Sequence, residues 1–244
     1  MLLGDCLSLL KPYNIYVILT VILVFLSLAP PILTLYGFSG ISGLLYTGDS
    51  TMCHQQVQRS FCIFKSENGT TYFGNCINTG NVSIDGINPY SAGLWPLGIP
   101  SQQANMSGID PNTGRPHSVF TDSTVGYAFG QCARNSSIYL FMLIGALIFP
   151  FLNKTDSNKI PSAIWLILAL IPIGVDGTTQ LIGNIFGWHY YWLSFLGLHE
   201  STNLLRVITG GIAGLAVSFY SIPILNNLFS NKKKGSDGRK ETVA

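Results

Sequence analysis

The sequence predicts an all-α integral membrane protein. It has four transmembrane helices, both termini in the cytoplasm, and a long extracytoplasmic loop between helices 1 and 2 carrying a disulfide-linked β-hairpin. Three observations carry that expectation. Only 10% of the 244 residues are charged while 48% are hydrophobic, against about 25% charged in soluble domains. The apolar residues gather in four runs near the length, about 20 residues, that a bilayer core requires. Basic residues crowd one short turn and the C-terminal tail, as the positive-inside bias expects of cytoplasmic segments.

Residues 1–36 are the N-terminus and first span. Residues 13–36 read as a helix rather than a signal peptide, because apolar sequence continues through Leu33 and Leu35 and no basic n-region or small-residue cleavage site stands out. Pro30-Pro31 is expected to kink or end it, since proline removes a helical donor and clashes with the preceding turn. Cys6, ahead of this span, reads as a cytoplasmic thiol.

Residues 37–124 form the extracytoplasmic loop region, rich in Gly, Asn, Ser and Pro. Asn68, Asn81 and Asn105 each open a glycosylation acceptor pattern, which favours an outside location. Within it, residues 61–65 and 70–73 flank Glu67-Asn68-Gly69, a hairpin signal. Cys62 and Cys76 lie symmetrically about Gly69 and are expected to be bridged on an oxidising side of the membrane.

Residues 125–229 hold helices 2 to 4. The second span begins within 126–136 and runs to Leu152, and residues 153–159 make a Lys-bearing turn. The third covers about 160–183. The aromatic stretch from Phe186 to Trp192 follows at the membrane boundary, where Trp and Tyr concentrate. The fourth is about 204–228. Residues 230–244 form a basic cytoplasmic tail with Lys232, Lys233, Lys234, Arg239 and Lys240. Beside a spanning helix such a tail anchors to the membrane face rather than binding nucleic acid.

Polar groups stand where the bilayer penalises them. Asp176 and Gln180, four apart near the outer end of the third span, share a helical face. Asn203 and Arg206, three apart at the start of the fourth, do likewise, with Glu200 just before them. An ionisable group inside a span costs roughly 2.5–3.5 kcal/mol on insertion scales, so it faces the bundle interior and finds a partner. At the helical rise, Asp176 lies about 24 Å from the cytoplasmic start of its helix, in the outer part of a core about 30 Å thick. Arg206 enters from the same side at a matching depth, so an Asp176–Arg206 ion pair is expected. The competing reading is that these groups only hold helices together, through contacts that average about 0.6 kcal/mol. Gly210-Gly211-Ile212-Ala213-Gly214 has the small-xxx-small spacing of close helix approach, which is packing rather than chemistry.

Several blocks carry a family resemblance. They are Cys53-His54-Gln55, Arg59-Ser60-Phe61, Cys132-Ala133-Arg134, Asp176-Gly177-Thr178-Thr179-Gln180, and Glu200 through Gly210 with Asn203, Arg206 and Thr209. In order and spacing, over roughly residues 50–64 and 125–220, the chain resembles the domain-of-unknown-function 2085 family of predicted prokaryotic multi-pass membrane proteins. The resemblance implies a multi-pass membrane fold and adds His54 and Arg134 to the candidate ligand-binding residues Asp176, Gln180, Glu200, Asn203 and Arg206. It transfers no activity. The family's Cys-x-Arg-Cys block has Asn135 at its second cysteine here, and His199 replaces the arginine before Glu200-Ser201, so no role rests on a paired Cys132/Cys135.

Cys53 and Cys132 have two readings: a second disulfide, favoured by compartment, or thiolate ligands with His54 for a soft metal. A catalytic cysteine would need a placed base as well. His117 and His189 read as structural. No phosphate loop, His-Glu-x-x-His, Gly-x-Ser-x-Gly or haem-attachment pattern is present, so the sequence names no catalytic residue, metal or cofactor. The leading functional expectation is an outward-facing polar pocket that binds a small or lipid-like ligand, with hydrolase, transferase and recognition chemistry all open. The alternative is a non-enzymatic structural subunit of a larger membrane complex. Its partners would be the bilayer and other subunits or further copies of the chain. A transporter element fits less well without an internal repeat.

Overall fold

The computed structural model describes residues 11–50, 59–66, 68–76, 118–121, 124–186 and 201–237. Helix α1 (Pro12–Leu35) leads into a shorter helix α2 (Ser39–Ser50). Strands β1 (Phe61–Ser66), β2 (Thr71–Asn75), β3 (Ser118–Thr121) and β4 (Thr124–Ala128) follow, then helices α3 (Ala133–Leu152), α4 (Ala163–Phe186) and α5 (Asn203–Asp237). Among the described residues, three helices are long and apolar enough to cross a membrane: Pro12–Leu35, Ala133–Leu152 and Asn203–Ser230. The fourth expected span is represented by a shorter apolar stretch, Ala163–Thr179.

The molecule places its polar groups inside and its apolar groups outside. Thr20, Ser27, Ser137, Asp176, Arg206, Thr209, Ser218 and Asn226 are buried, while Phe25, Phe151, Trp165, Ile167 and Leu204 are exposed. A water-soluble domain would invert this pattern, because large contiguous apolar surfaces in water mark a partner or a bilayer.

Helix α1 continues through Pro30-Pro31 instead of ending there. Pro31 has no N–H for the Ser27 carbonyl one turn earlier, and the Gly130 N–H takes that carbonyl at 3.0 Å. Freed backbone groups in a span must be satisfied by a neighbour, and here the neighbour is the strand-to-helix turn before α3. The helix ends at Tyr36, where Gly37 (φ 85°) donates to the Thr34 carbonyl at 3.0 Å and Phe38 to that of Leu33 at 2.9 Å. This is the Schellman closure that a left-handed glycine allows.

The region expected as one polar loop with a hairpin holds more order than that. It contains α2 and a four-stranded antiparallel sheet in the order β2-β1-β4-β3. The β1–β2 hairpin is present and turns at Gly69 (φ 79°). Its register pairs Cys62 with Gly74, so the turn centres on Asn68 and not on Gly69. The bridge nevertheless forms between Cys62 and Cys76, whose Cα atoms are 4.8 Å apart. The centre shifts by one residue and the partner of Cys62 by two, which keeps Cys76 on the same face of the pleat as Gly74.

Helices α3 and α5 make the most extensive helix contact. A Cβ on Gly210 would lie 2.7 Å from the Arg134 carbonyl oxygen, and one on Gly214 would run into the carbonyl of Ile138, one turn along α3. The small-xxx-small expectation therefore holds: glycine is the residue that lets these backbones touch. Helix α1 is pinned to the pair by Tyr16 with Ser218 (3.0 Å) and by Tyr13 donating to the Ala146 carbonyl (3.0 Å).

Candidate functional site

The polar groups expected as one cluster fall into two. In the first, the Arg134 guanidinium Nη2 on α3 forms an ion pair with Asp176 Oδ2 on α4. Thr209 Oγ1 of α5 donates to the same carboxylate oxygen at 3.3 Å. Asp176 is 6% exposed, so three helices converge on one buried carboxylate. The anticipated partner, Arg206, is not the one the structure gives it. Depth agreed, but direction did not: Arg206 and Thr209 are three apart on α5, and Thr209 is the one whose side chain reaches α4.

The position of Arg134 explains the need for a counter-charge. It sits in the first turn of α3, after the N-cap residue Cys132, where unpaired backbone N–H groups already make the helix end positive. A guanidinium there is unfavourable unless an anion stands beside it. Asp176 supplies the anion, and Gly210 gives Arg134 room against α5. A further donor, Arg134 Nε, is buried with no hydrogen-bond partner among the described residues.

The second cluster fastens the sheet to the helices. Asn203 Nδ2 donates to the Ser60 carbonyl and to Asn75 Oδ1, both at 3.1 Å. Arg206 Nη1 donates to Asn203 Oδ1 at 3.1 Å. Asn203 thus bridges both ends of the β1–β2 hairpin while Arg206 orients its amide. This cluster positions the sheet on the helices.

A third polar group was not singled out in the sequence. Asp49, at the end of α2, accepts from Gln131 Nε2 at 2.8 Å, and Asn135 Nδ2 donates to Gln131 Oε1 at 3.1 Å. Its other oxygen, Oδ2, is buried without a partner among the described residues. Burial pushes its carboxyl up to about 6, with the Gln131 hydrogen bond opposing. The available signal was that Asp49 is the lone acid between Asp5 and Glu67. Asn135 extends this chain of amides.

Of the remaining candidates, Asn68 is exposed in the hairpin turn and Cys132 is half-buried at the start of α3. The Gln180 side chain, Glu200, His54, Cys53, Asn81 and Asn105 lie outside the described residues, as do Cys6, His117 and His189. Among the described residues, no three His, Cys, Asp or Glu side chains gather as a metal site.

Residues 117–220 match the family model described as predicted membrane protein (DUF2085). The uncharacterized protein MJ1492 of Methanocaldococcus jannaschii is 46% identical over 109 residues, which cover 45% of this chain and 61% of that protein. The chain thus spans about three fifths of the length of this curated relative. No solved structure matches. Residues 117–220, the segment that carries Arg134, Asp176, Asn203, Arg206 and Thr209, are thus similar to the DUF2085 family of predicted membrane proteins.

Proposed function

We propose that the protein holds a small or lipid-like ligand by an anionic group at the outer end of its helical bundle, with Arg134 as the receiving cation. The observation that carries this is the unspent Arg134 Nε donor beside the ion pair of a half-buried Arg134 with a buried Asp176. A guanidinium offers five donors in a rigid fork, so one edge can stay on Asp176 while another meets a phosphate or carboxylate. The first turn of α3 favours the same charge through its N–H groups. Asp176 and Thr209 orient Arg134 in this reading, and Gln180 and Glu200 are further candidates to contact the ligand. Asn203 and Arg206 contribute by holding the sheet over the site.

The same proposal includes the topology: four spans, both termini cytoplasmic, and the sheet with the exposed sequon Asn68 outside. A reporter fused after Ala244 is then active only in the cytoplasm, and cysteine labels at Ser91 or Asn112 react without permeabilisation. The reverse pattern sinks the topology. For the ligand, the protein in mild detergent is titrated with short-chain phosphatidic acid and, separately, phosphatidylcholine. Anionic binding is expected to weaken about tenfold or more in Arg134→Gln and less in Arg134→Lys. Equal binding of both lipids, or of Arg134→Gln and the parent, overturns the anion reading.

The second reading, a non-enzymatic subunit of a larger complex, draws on α4, whose described residues are largely exposed on their apolar side, including Ile164, Trp165, Ile167 and Val175. Reproducible co-purifying subunits would favour it.

A further inference from the structure

Along α3 runs a groove of about 260 Å³ between α1, α3 and the start of α5, roofed by the sheet. Val24, Leu140 and Val207 form its walls, and Phe61, Phe73 and Phe129 its roof. The roof is one aromatic cluster, with Phe61 and Phe73 centroids 4.9 Å apart and Phe73 and Phe129 5.7 Å apart. We infer that this groove takes one acyl chain of a phospholipid from the surrounding outer leaflet.

The chemistry of the lining selects the occupant. Its hydroxyls are Ser27, Ser136 and Ser137, and all three are committed elsewhere. Ser27 and Ser136 bond each other at 2.6 Å, and Ser137 donates to the Val207 carbonyl at 2.7 Å. What remains to meet a ligand is carbon. A polar ligand entering would lose its water and gain nothing in exchange, whereas an alkyl chain loses nothing.

Position selects the source. The walls belong to helices long and apolar enough to cross a membrane, and at the mouth Leu140 is 41% exposed and Phe73 59%. A groove opening between such helices faces acyl chains. Closely packed interiors hold few voids larger than a water molecule. The volume is slightly below the range of about 300–1,000 Å³ usual for whole drug-sized ligands, which suits a stretch of chain rather than a complete lipid. The serine pair lets α1 and α3 approach at the groove's floor without filling it. This inference does not rest on the Arg134 reading, since Arg134 does not line the groove.

The test uses the full-length protein in detergent micelles holding a small mole fraction of phosphatidylcholine with a diazirine in one acyl chain. Detergent dilutes non-specific contact, so peptides bearing Phe73, Phe129 and Leu140 are expected to be labelled at least fivefold more than those bearing Ile164, Ile167 and Ile171. Val24→Trp or Val207→Trp, each filling the groove from a different helix, should cut the groove label about fivefold and leave the α4 label unchanged. A variant counts only where its melting transition and the labelling of α4 match the parent. Uniform labelling, groove label unaffected by either folded variant, or labelling by a diazirine-bearing polyprenyl probe in preference to the acyl chain would each overturn the inference.

Discussion

Arg134 on α3 and Asp176 on α4 are ion-pair partners across 42 residues of sequence, and Thr209 on α5 donates to the same carboxylate oxygen. The contact joins three helices through one buried group. Its removal therefore bears on helix association as much as on any ligand.

Asp176→Asn and Arg134→Gln should each lower stability in detergent by about 1.5–3 kcal/mol, the range for hydrogen bonds to charged groups. The double variant should lose less than the sum, with a coupling of about 0.5–3 kcal/mol. Asp176→Asn combined with Arg206→Gln should be closer to additive. Melting curves of these four variants and of Arg206→Gln alone, each against the parent, decide it, and a larger coupling for the Arg206 combination would reverse the pairing seen here.

Asn203→Ala removes both donors to the β1–β2 hairpin and leaves the Arg206 guanidinium without that oxygen. Amide exchange should quicken in β1 and β2 while α3 keeps its protection. Uniform acceleration throughout the protein would show that Asn203 supports the whole bundle and not the sheet in particular.

Gly214→Ala places a methyl group against the Ile138 carbonyl and should cost about 1–3 kcal/mol by overpacking. Gly174→Ala is the matched control: a Cβ there meets nothing within 4 Å, and helical glycine to alanine should gain about 0.5–1 kcal/mol. Similar effects at the two positions would argue against backbone contact between α3 and α5.

Asp49 gives a pH signature. Its folded carboxyl is raised from 3.8 to about 6, so between those values the folded state holds a proton that the unfolded chain releases. Stability should fall as the pH rises through that window and level off above it. Asp49→Asn should flatten the slope and stabilise the protein at neutral pH by up to about 3 kcal/mol. Parallel stability profiles for the variant and the parent would mean that Asp49 does not carry the effect.

The sequence by itself determined the class of protein, because scarcity of charge and membrane-length apolar runs are additive properties that need no contact information. The Cys62–Cys76 bridge and the glycine seam of α5 were legible for the same reason: both follow from short-range spacing. Which polar residue meets which was decided only in three dimensions. Asp176 and Arg206 share a depth, but depth fixes one coordinate, and the rotation of each helix about its axis fixes the rest. That rotation is set by Gly210 and Gly214 seating against Arg134 and Ile138, which brings Thr209 and Arg134 to Asp176 and turns Asn203 and Arg206 toward the sheet. Helix α2 and the pairing of β4 with β1 were likewise beyond the sequence pattern. Their apolar residues are too few to show a period, and each is stabilised by partners far along the chain, Asp49 by Gln131 and Ile63 by Tyr127.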